Sequence, residues 1–217
     1  MKKTLILSSL VILLGLNGCK KDDTVSAEVK PDPIEEQIIS AIFSVGASGM
    51  SGVRASQVTQ TKDQFKVGSS TPINQTLNST TNGVNGGSVT VTGNLSGTSD
   101  SNGGGTFTIN MNEKFNNYGL VAEAKNYVAE GNIVYAGNIT TNMIQSGSVA
   151  AGNLTYTQTG TSKINVSGSL NVTGPNYNKS TSIQLSETEA ISATEITITI
   201  SGTIGGKNLN YSQTIKE

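Results

Sequence analysis

The sequence contains no histidine, no tryptophan and only one cysteine among its 217 residues. The absence of histidine removes the commonest general base and the commonest metal ligand of proteins. A single cysteine excludes an intramolecular disulfide and any metal site built from several cysteines. We therefore expect a protein that is not an enzyme and that has no catalytic, cofactor-binding or metal-binding residues.

Charge is also scarce: 13% of residues are charged, where about 25% is usual. Residues 1–18, which resemble a removable segment as described below, carry two of the 14 basic residues. Their loss leaves 12 basic and 15 acidic residues, a net charge of −3. Because nucleic-acid binding needs a basic stripe or patch, we expect no nucleic-acid partner.

The one cysteine closes an N-terminal stretch of unusual pattern, MKKTLILSSLVILLGLNGC. Lys2 and Lys3 precede an apolar run over residues 5–14, and Leu16-Asn17-Gly18-Cys19 follows. This arrangement resembles the signal peptide and lipobox of bacterial lipoproteins. The apolar run has about half of the roughly 20 residues that a membrane-spanning helix needs, so a processing signal is favoured over an anchor. The resemblance implies that residues 1–18 are removed and that lipid, including palmitate, is attached to Cys19.

The residues after the cysteine bear on location. In the enteric pattern, Asp directly after the lipidated cysteine retains a lipoprotein in the inner membrane, and here that residue is Lys20. Residues 20–23 resemble the charged tether of surface lipoproteins in other bacterial groups. We expect a lipid-anchored protein of the outer membrane. It lies either on the periplasmic face of that membrane or at the cell surface.

Residues 19–33 form a polar tether, and residues 34–46 are predicted to form a helix. Asp32 can cap the free N–H groups, Pro33 suits the first helical position, and Glu35 completes a capping box. Apolar residues then recur at helical spacing. This stripe must be buried, either against a sheet or against a partner protein. The apolar positions are Ile34, Ile38, Ile42 and Val45.

Residues 47–85 are rich in Ser, Thr, Gly and Asn and have few apolar residues. We interpret this part as a connector, with one strand near residues 64–68 as an open alternative, because it lacks the apolar density of a core.

Residues 86–217 show apolar and polar residues in strict alternation, typical of antiparallel strands with one buried face. Turn-forming clusters separate eight such runs and include Gly205-Gly206, a two-residue hairpin turn. We predict an all-β domain, an antiparallel and strongly coiled sheet of about eight strands, forming a sandwich or an open barrel and preceded by one amphipathic helix. The other turn clusters are residues 99–105, 116–119, 160–162 and 174–180.

Within four strands, a glycine falls at an inward-facing position. Glycine in a strand weakens packing, so a repeated position suggests a geometric cause. These glycines can let the sheet coil and leave room for a side chain from a neighbouring strand, for which Tyr135 and Tyr156 are candidates. Alternatively, they can border an apolar groove. Coiling is the favoured interpretation, and the groove is kept as a hypothesis. The glycines are Gly93, Gly137, Gly168 and Gly202.

Glu187 and Glu189 are the best candidates for a carboxylate pair, because they share one strand face. Such a pair more often protects an edge strand from pairing with another chain, and we interpret it in that way.

The domain as a whole is similar to uncharacterised Gly- and Thr-rich all-β envelope lipoproteins, and this resemblance implies no active site. Three functions stay open: a binding module for a protein or glycan partner, a structural envelope component, and a carrier of a lipid or other apolar ligand inside a curled sheet. A filled inner face would favour the first two, and a pocket near the glycines would favour the carrier.

Overall fold

A computed structural model describes residues 31–44, 70–100, 104–146 and 155–216. The predicted signal peptide, Cys19 and the tether up to residue 30 lie outside these ranges. One helix, α1, spans residues 33–44, and eight strands follow it. The strands are β1 (Thr71–Asn82), β2 (Ser88–Ser99), β3 (Gly105–Ala122), β4 (Lys125–Ser146), β5 (Thr155–Gly174), β6 (Tyr177–Ile191), β7 (Glu195–Ile204) and β8 (Lys207–Lys216).

The eight strands form one antiparallel sheet in which each strand pairs with its neighbours in sequence, in the order β1 to β8. Tight turns allow this arrangement. Gly205 and Gly206 both have positive φ, 58° and 82°, as a type I′ hairpin turn requires. Glu123 and Ala124 form a comparable turn between β3 and β4, at φ values of 49° and 60°. The sheet is curled and does not close.

The alternation of side chains divides the sheet into an apolar inner face and a polar outer face. In β5, for example, the buried residues on one face are Ile164, Val166, Leu170 and Val172. The helix α1 shares the same buried core as the inner face, through residues that include Ile38, Ile42 and Phe43. The all-β fold with one preceding amphipathic helix is therefore confirmed. Strands that bury only one side need just one apolar residue in two, which suits a sequence so rich in Thr and Asn.

Three features differ from the expected strand pattern. β1 lies inside residues 47–85, which were predicted to be a connector, so that prediction is corrected for Thr71–Asn82. Residues 160–162, predicted to be a turn, lie within β5, which joins two of the predicted runs into one strand. Residues 116–119, also predicted to be a turn, contain a register shift of β3 against β4 instead. The predicted strand near residues 64–68 lies outside the described residues.

Two physical reasons underlie these differences. β1 forms one edge of the sheet among the described strands and has only two large apolar residues, Ile73 and Leu77, so its apolar density resembles that of a loop. Glycine and asparagine mark bulges and tight bends of strands as well as turns. Composition alone cannot separate these cases.

Within the described residues, no helix combines the length and the apolar character needed to cross a membrane.

Candidate functional site

The candidate site is the region where α1 covers the inner face of the sheet. The N-terminal end of α1 is closed by the predicted capping box. Asp32 Oδ1 accepts hydrogen bonds from the N–H groups of Ile34 (3.1 Å) and Glu35 (2.9 Å). In return, the Asp32 N–H donates to Glu35 Oε2 at 2.8 Å. These bonds satisfy N–H groups that have no partner inside the helix.

Lys207 joins this end of α1 to the sheet. Its Nζ atom lies 2.9 Å from Glu35 Oε2 and 3.2 Å from Asp32 Oδ2. The two acidic groups raise the pKa of Lys207. Burial acts to raise the pKa of Asp32, but hydrogen bonds from the Glu35 N–H and Lys207 outweigh it and lower that pKa. The Gly205-Gly206 turn brings Lys207 here, and a side chain at Gly205 would crowd Glu35 Oε1, at 2.8 Å.

The last turn of α1 is held by Tyr135, from β4. The Tyr135 hydroxyl lies 2.8 Å from the carbonyl oxygen of Ile42 and 2.8 Å from Glu113 Oε2. The final four carbonyl groups of a helix have no intrahelical partner, and Ile42 belongs to that group. Tyr135 of the sheet therefore supplies a hydrogen-bond donor to a helix carbonyl that has no partner within the helix.

The geometry around Tyr135 favours the protonated form of Glu113. The phenolic hydroxyl of Tyr135 has one hydrogen to donate. Its two acceptors lie at the same distance from the hydroxyl oxygen. Both contacts are satisfied together only if Glu113 is protonated and donates to Tyr135 Oη, while Tyr135 donates to Ile42. Burial raises the pKa of Glu113 to about 8, although the Tyr135 hydrogen bond acts to lower it. Glu113 is fully buried, and a neutral acid there avoids the large cost of burying a charge.

A second pair of acids lies on the inner face of β6. Glu187 and Glu189 pair across to both β5 and β7, so their interpretation as protection of an edge strand was wrong. Both are buried. Burial and then the charge of Glu189 raise the pKa of Glu187 to about 7. Among the described residues, Glu113 Oε1 and Glu187 Oε2 have no hydrogen-bond partner.

Glu113 could have been found from the sequence. Met111, Glu113 and Phe115 occupy successive positions of one strand face, and the alternation places an acid in an otherwise apolar row. An acid at an inward position is the signal for a buried titratable group.

The four predicted glycines lie on the inner face, each between large apolar residues of the two neighbouring strands. Gly168, for instance, pairs with Ile133 and Ile183. A Cβ at any of the four would collide with a carbonyl oxygen of an adjacent strand. Such a close approach of backbones accounts for glycine without a ligand. The partner oxygens belong to Asn110, Lys163, Asn132 and Gln184 for Gly93, Gly137, Gly168 and Gly202.

The predicted groove residues are distributed over several strands, with the four glycines on β2, β4, β5 and β7. Tyr135 lies beneath α1, as described above. Tyr156 is part of β5, but its side chain lies outside the described residues, as does Cys19. The groove therefore stays a hypothesis.

The site combines two buried acids of raised pKa, one of which, Glu113, is linked to α1 through Tyr135. Glu113 is 0% exposed and Glu187 is 4% exposed, so neither faces solvent in this arrangement. Within the described residues, no group of three or more acidic, His or Cys side chains could hold a metal ion. The site can exchange protons and thereby alter how α1 is held.

Comparisons with protein-family models, with curated proteins and with solved structures each returned no match to this chain.

Proposed function

We propose that the protein is a non-enzymatic binding or structural module of the bacterial cell envelope, anchored to the outer membrane by lipid on Cys19. One observation carries the choice of module over carrier: α1 occupies the inner face of the curled sheet. The surface left open to a partner is then the polar outer face.

Part of the inner face is covered by the chain's own helix. Ile38 and Ile42 of α1 are fully buried and belong to the same core as Ile133 and Leu170 of the sheet. The helix is held at both ends, by Lys207 at its start and by Tyr135 in its last turn. A face occupied in this way supports a binding or structural role.

The outer face is uncharged over most of its area and rich in hydroxyl and amide groups. Thr197 and Thr214 form a cross-strand hydrogen bond at 3.0 Å, and so do Thr108 and Asn138. Such groups can donate to and accept from the hydroxyl groups of a glycan or the backbone of a protein. This chemistry supports a neutral polar partner.

The length of the tether fits a membrane anchor. Thirteen residues, 20–32, separate Cys19 from the start of α1. Fully extended, they would span about 45 Å. That reach would lift the sheet clear of the membrane surface and leave its outer face accessible.

The anchor is tested by Cys19→Ser in the full-length protein. We expect loss of incorporated palmitate and loss of partitioning into the detergent phase, because the acyl chains supply the membrane affinity. Asn17→Ser is the matched control, since that lipobox position tolerates substitution. If Cys19→Ser partitions like the parent protein, the anchor is wrong.

The alternative function is a carrier of a lipid or other apolar ligand, held against the sheet with α1 displaced. Its support is the pair of buried acids: Glu113 and Glu187 each have an oxygen with no hydrogen-bond partner among the described residues. Buried polar atoms without partners destabilise the packing around them, and packing of that kind is easier to open.

The two functions differ in what the purified protein contains. Organic extraction followed by mass spectrometry should release no stoichiometric lipid from the full chain if it is a binding or structural module. The Cys19→Ser variant is the control for covalently attached acyl chains. One mole of extractable lipid per mole of protein, in both proteins, would overturn the module and establish the carrier.

A further inference from the structure

The open sheet has two edges among the described strands. β1 pairs only with β2, and β8 pairs only with β7. The outer row of N–H and C=O groups on such a strand can pair with another chain. Natural proteins usually block it with charged side chains, proline or bulges, or with a covering segment.

Among the residues that the structure describes, both edges carry little of this protection. β1, TPINQTLNSTTN, has no charged residue, and Pro72 near its start is its only proline. β8, KNLNYSQTIK, has charges only at its ends, Lys207 and Lys216. The pairings of these strands with β2 and β7 show no register shift, so neither edge is bent away by a bulge.

The turns determine which backbone groups face outward. The Gly83 N–H donates to the Gly87 carbonyl at 3.0 Å, so odd-numbered residues of β1 bond to β2. The two-residue turn makes Ile204 and Lys207 a hydrogen-bonded pair, so odd-numbered residues of β8 bond to β7. The even-numbered residues of both strands therefore direct their N–H and C=O groups to the edges.

The two edges match each other in face as well as in hydrogen bonding. On β1 and on β8, the residues whose backbone faces outward have exposed side chains on the outer face. If β8 paired with β1 of a second copy, the outer faces of the two sheets would thus form one continuous surface, and so would the inner faces. The residues concerned are Asn74, Thr76, Asn78 and Thr80 of β1 and Asn208, Asn210, Ser212 and Thr214 of β8.

The lysines of β8 and the proline of β1 favour this pairing over the two symmetric ones. Two antiparallel β8 strands would bring four lysines and no acidic residue of either strand into one contact, although Lys207 and Lys216 belong to opposite faces of the strand. Two β1 strands would each present Pro72, which has no N–H to donate. β8 against β1 halves the number of lysines in the contact and presents Pro72 only once.

We propose that β8 pairs antiparallel with β1 of a second copy of this chain, which extends the sheet from one copy to the next. The contact joins two different surfaces, so it can repeat into rings or rows. It goes beyond the proposed envelope function and does not depend on the lipid on Cys19.

Two proline variants test the proposal, because each removes one outward N–H group and leaves the inner ladder intact. Ser212→Pro blocks β8 and Thr76→Pro blocks β1. The full-length protein, in detergent with micelles in excess, is studied by sedimentation equilibrium. We expect the parent protein to form multiples of the chain mass, and Ser212→Ala and Thr76→Ala, which keep the N–H, to do the same.

Each proline variant alone should be monomeric, and an equimolar mixture of the two should form dimers, because each retains the edge that the other lacks. Dimers on mixing also show that both variants are folded. A parent protein that stays monomeric at all concentrations overturns the proposal. Dimers of Thr76→Pro alone would show pairing of β8 with β8, and dimers of Ser212→Pro alone would show pairing of β1 with β1, so either result overturns it too.

Discussion

The Tyr135 hydroxyl lies 2.8 Å from Glu113 Oε2 and lies equally close to the carbonyl oxygen of Ile42 in α1. Tyr135 therefore couples the protonation of a buried acid in β3 to the attachment of the helix. If Glu113 is ionised, the single phenolic hydrogen is drawn to the carboxylate, and Ile42 loses its donor. The attachment of α1 should thus depend on pH.

We predict that the free energy of unfolding falls as pH rises from 5 to 8. Burial raises the pKa of Glu113 in the folded state to about 8, from an ordinary value of 4.5. Below pH 4.5 both states hold the proton and the stability is fully present. Between 4.5 and 8 the folded state holds more protons, so stability is lost as pH rises. The slope contributed by Glu113 is at most about 1.4 kcal/mol per pH unit.

Urea unfolding at each pH measures this slope. Glu187, whose pKa is raised to about 7, adds to it with the same sign over the lower part of the range. Glu113→Gln keeps a donor for Tyr135 Oη without an ionisable group, so it should flatten the profile and stabilise the protein at pH 8. Glu130→Gln, at an exposed position of β4, should leave the slope as it is. A slope unchanged in Glu113→Gln would contradict protonation of Glu113.

The hydroxyl of Tyr135 is tested by Tyr135→Phe. We expect a loss of about 1–3 kcal/mol, because the change leaves a buried carbonyl and a buried acid without their shared partner. The loss should be smaller in the Glu113→Gln background if the two side chains act together, which a double-mutant cycle measures. Additive losses would show that Tyr135 and Glu113 act independently.

Much of the sheet could be predicted from the sequence, because a strand buried on one face reveals its period. The alternation from Ile196 to Ile204 and the Gly205-Gly206 turn are examples. The Asp32 capping box was likewise local, since all of its bonds join residues within three positions.

The candidate site could not be predicted in the same way. Tyr135 and Ile42 are 93 positions apart, and no local pattern specifies which face of a sheet a helix covers. β1 was missed because an edge strand needs few apolar residues. Glu113 was missed because charged residues were assigned to the solvent-exposed face, whereas its position in the alternation places Glu113 on the inner face.

The contact between Asp32 and Lys207 yields a third prediction, in which two substitutions separate capping from charge. Asp32→Ala removes both the cap and the ion pair, and the loss of the cap should cost about 1 kcal/mol. Asp32→Asn keeps an oxygen that accepts from Ile34 and Glu35 but removes the charge. Thermal unfolding in 1 M NaCl should make Asp32→Asn resemble the parent protein, because salt screens the partly exposed ion pair. Equal losses for both variants in high salt would contradict the capping role.

The inward glycines yield the last prediction, which also distinguishes a tightly coiled sheet from a ligand groove. At Gly137 and Gly168 a Cβ would collide with the carbonyl oxygens of Lys163 and Asn132, and backbone oxygens of a central strand cannot move aside cheaply. We expect Gly137→Val and Gly168→Val each to lose roughly 1–3 kcal/mol or more. Gly168 has φ of 155°, so Gly168→Ala should add backbone strain that Gly137→Ala lacks.

Urea midpoints measure the loss, and titration with a fluorescent fatty acid on the same samples measures ligand uptake. Ser167→Val is the matched control, because it adds the same side chain to β5 at an exposed position, where it should change stability little. If the glycines bordered an apolar groove, valine would fill space there, and stability would hold or rise while uptake was lost. A large loss of stability together with no fatty-acid binding by the parent protein would instead exclude the carrier, and the collisions with Lys163 and Asn132 lead us to expect that result.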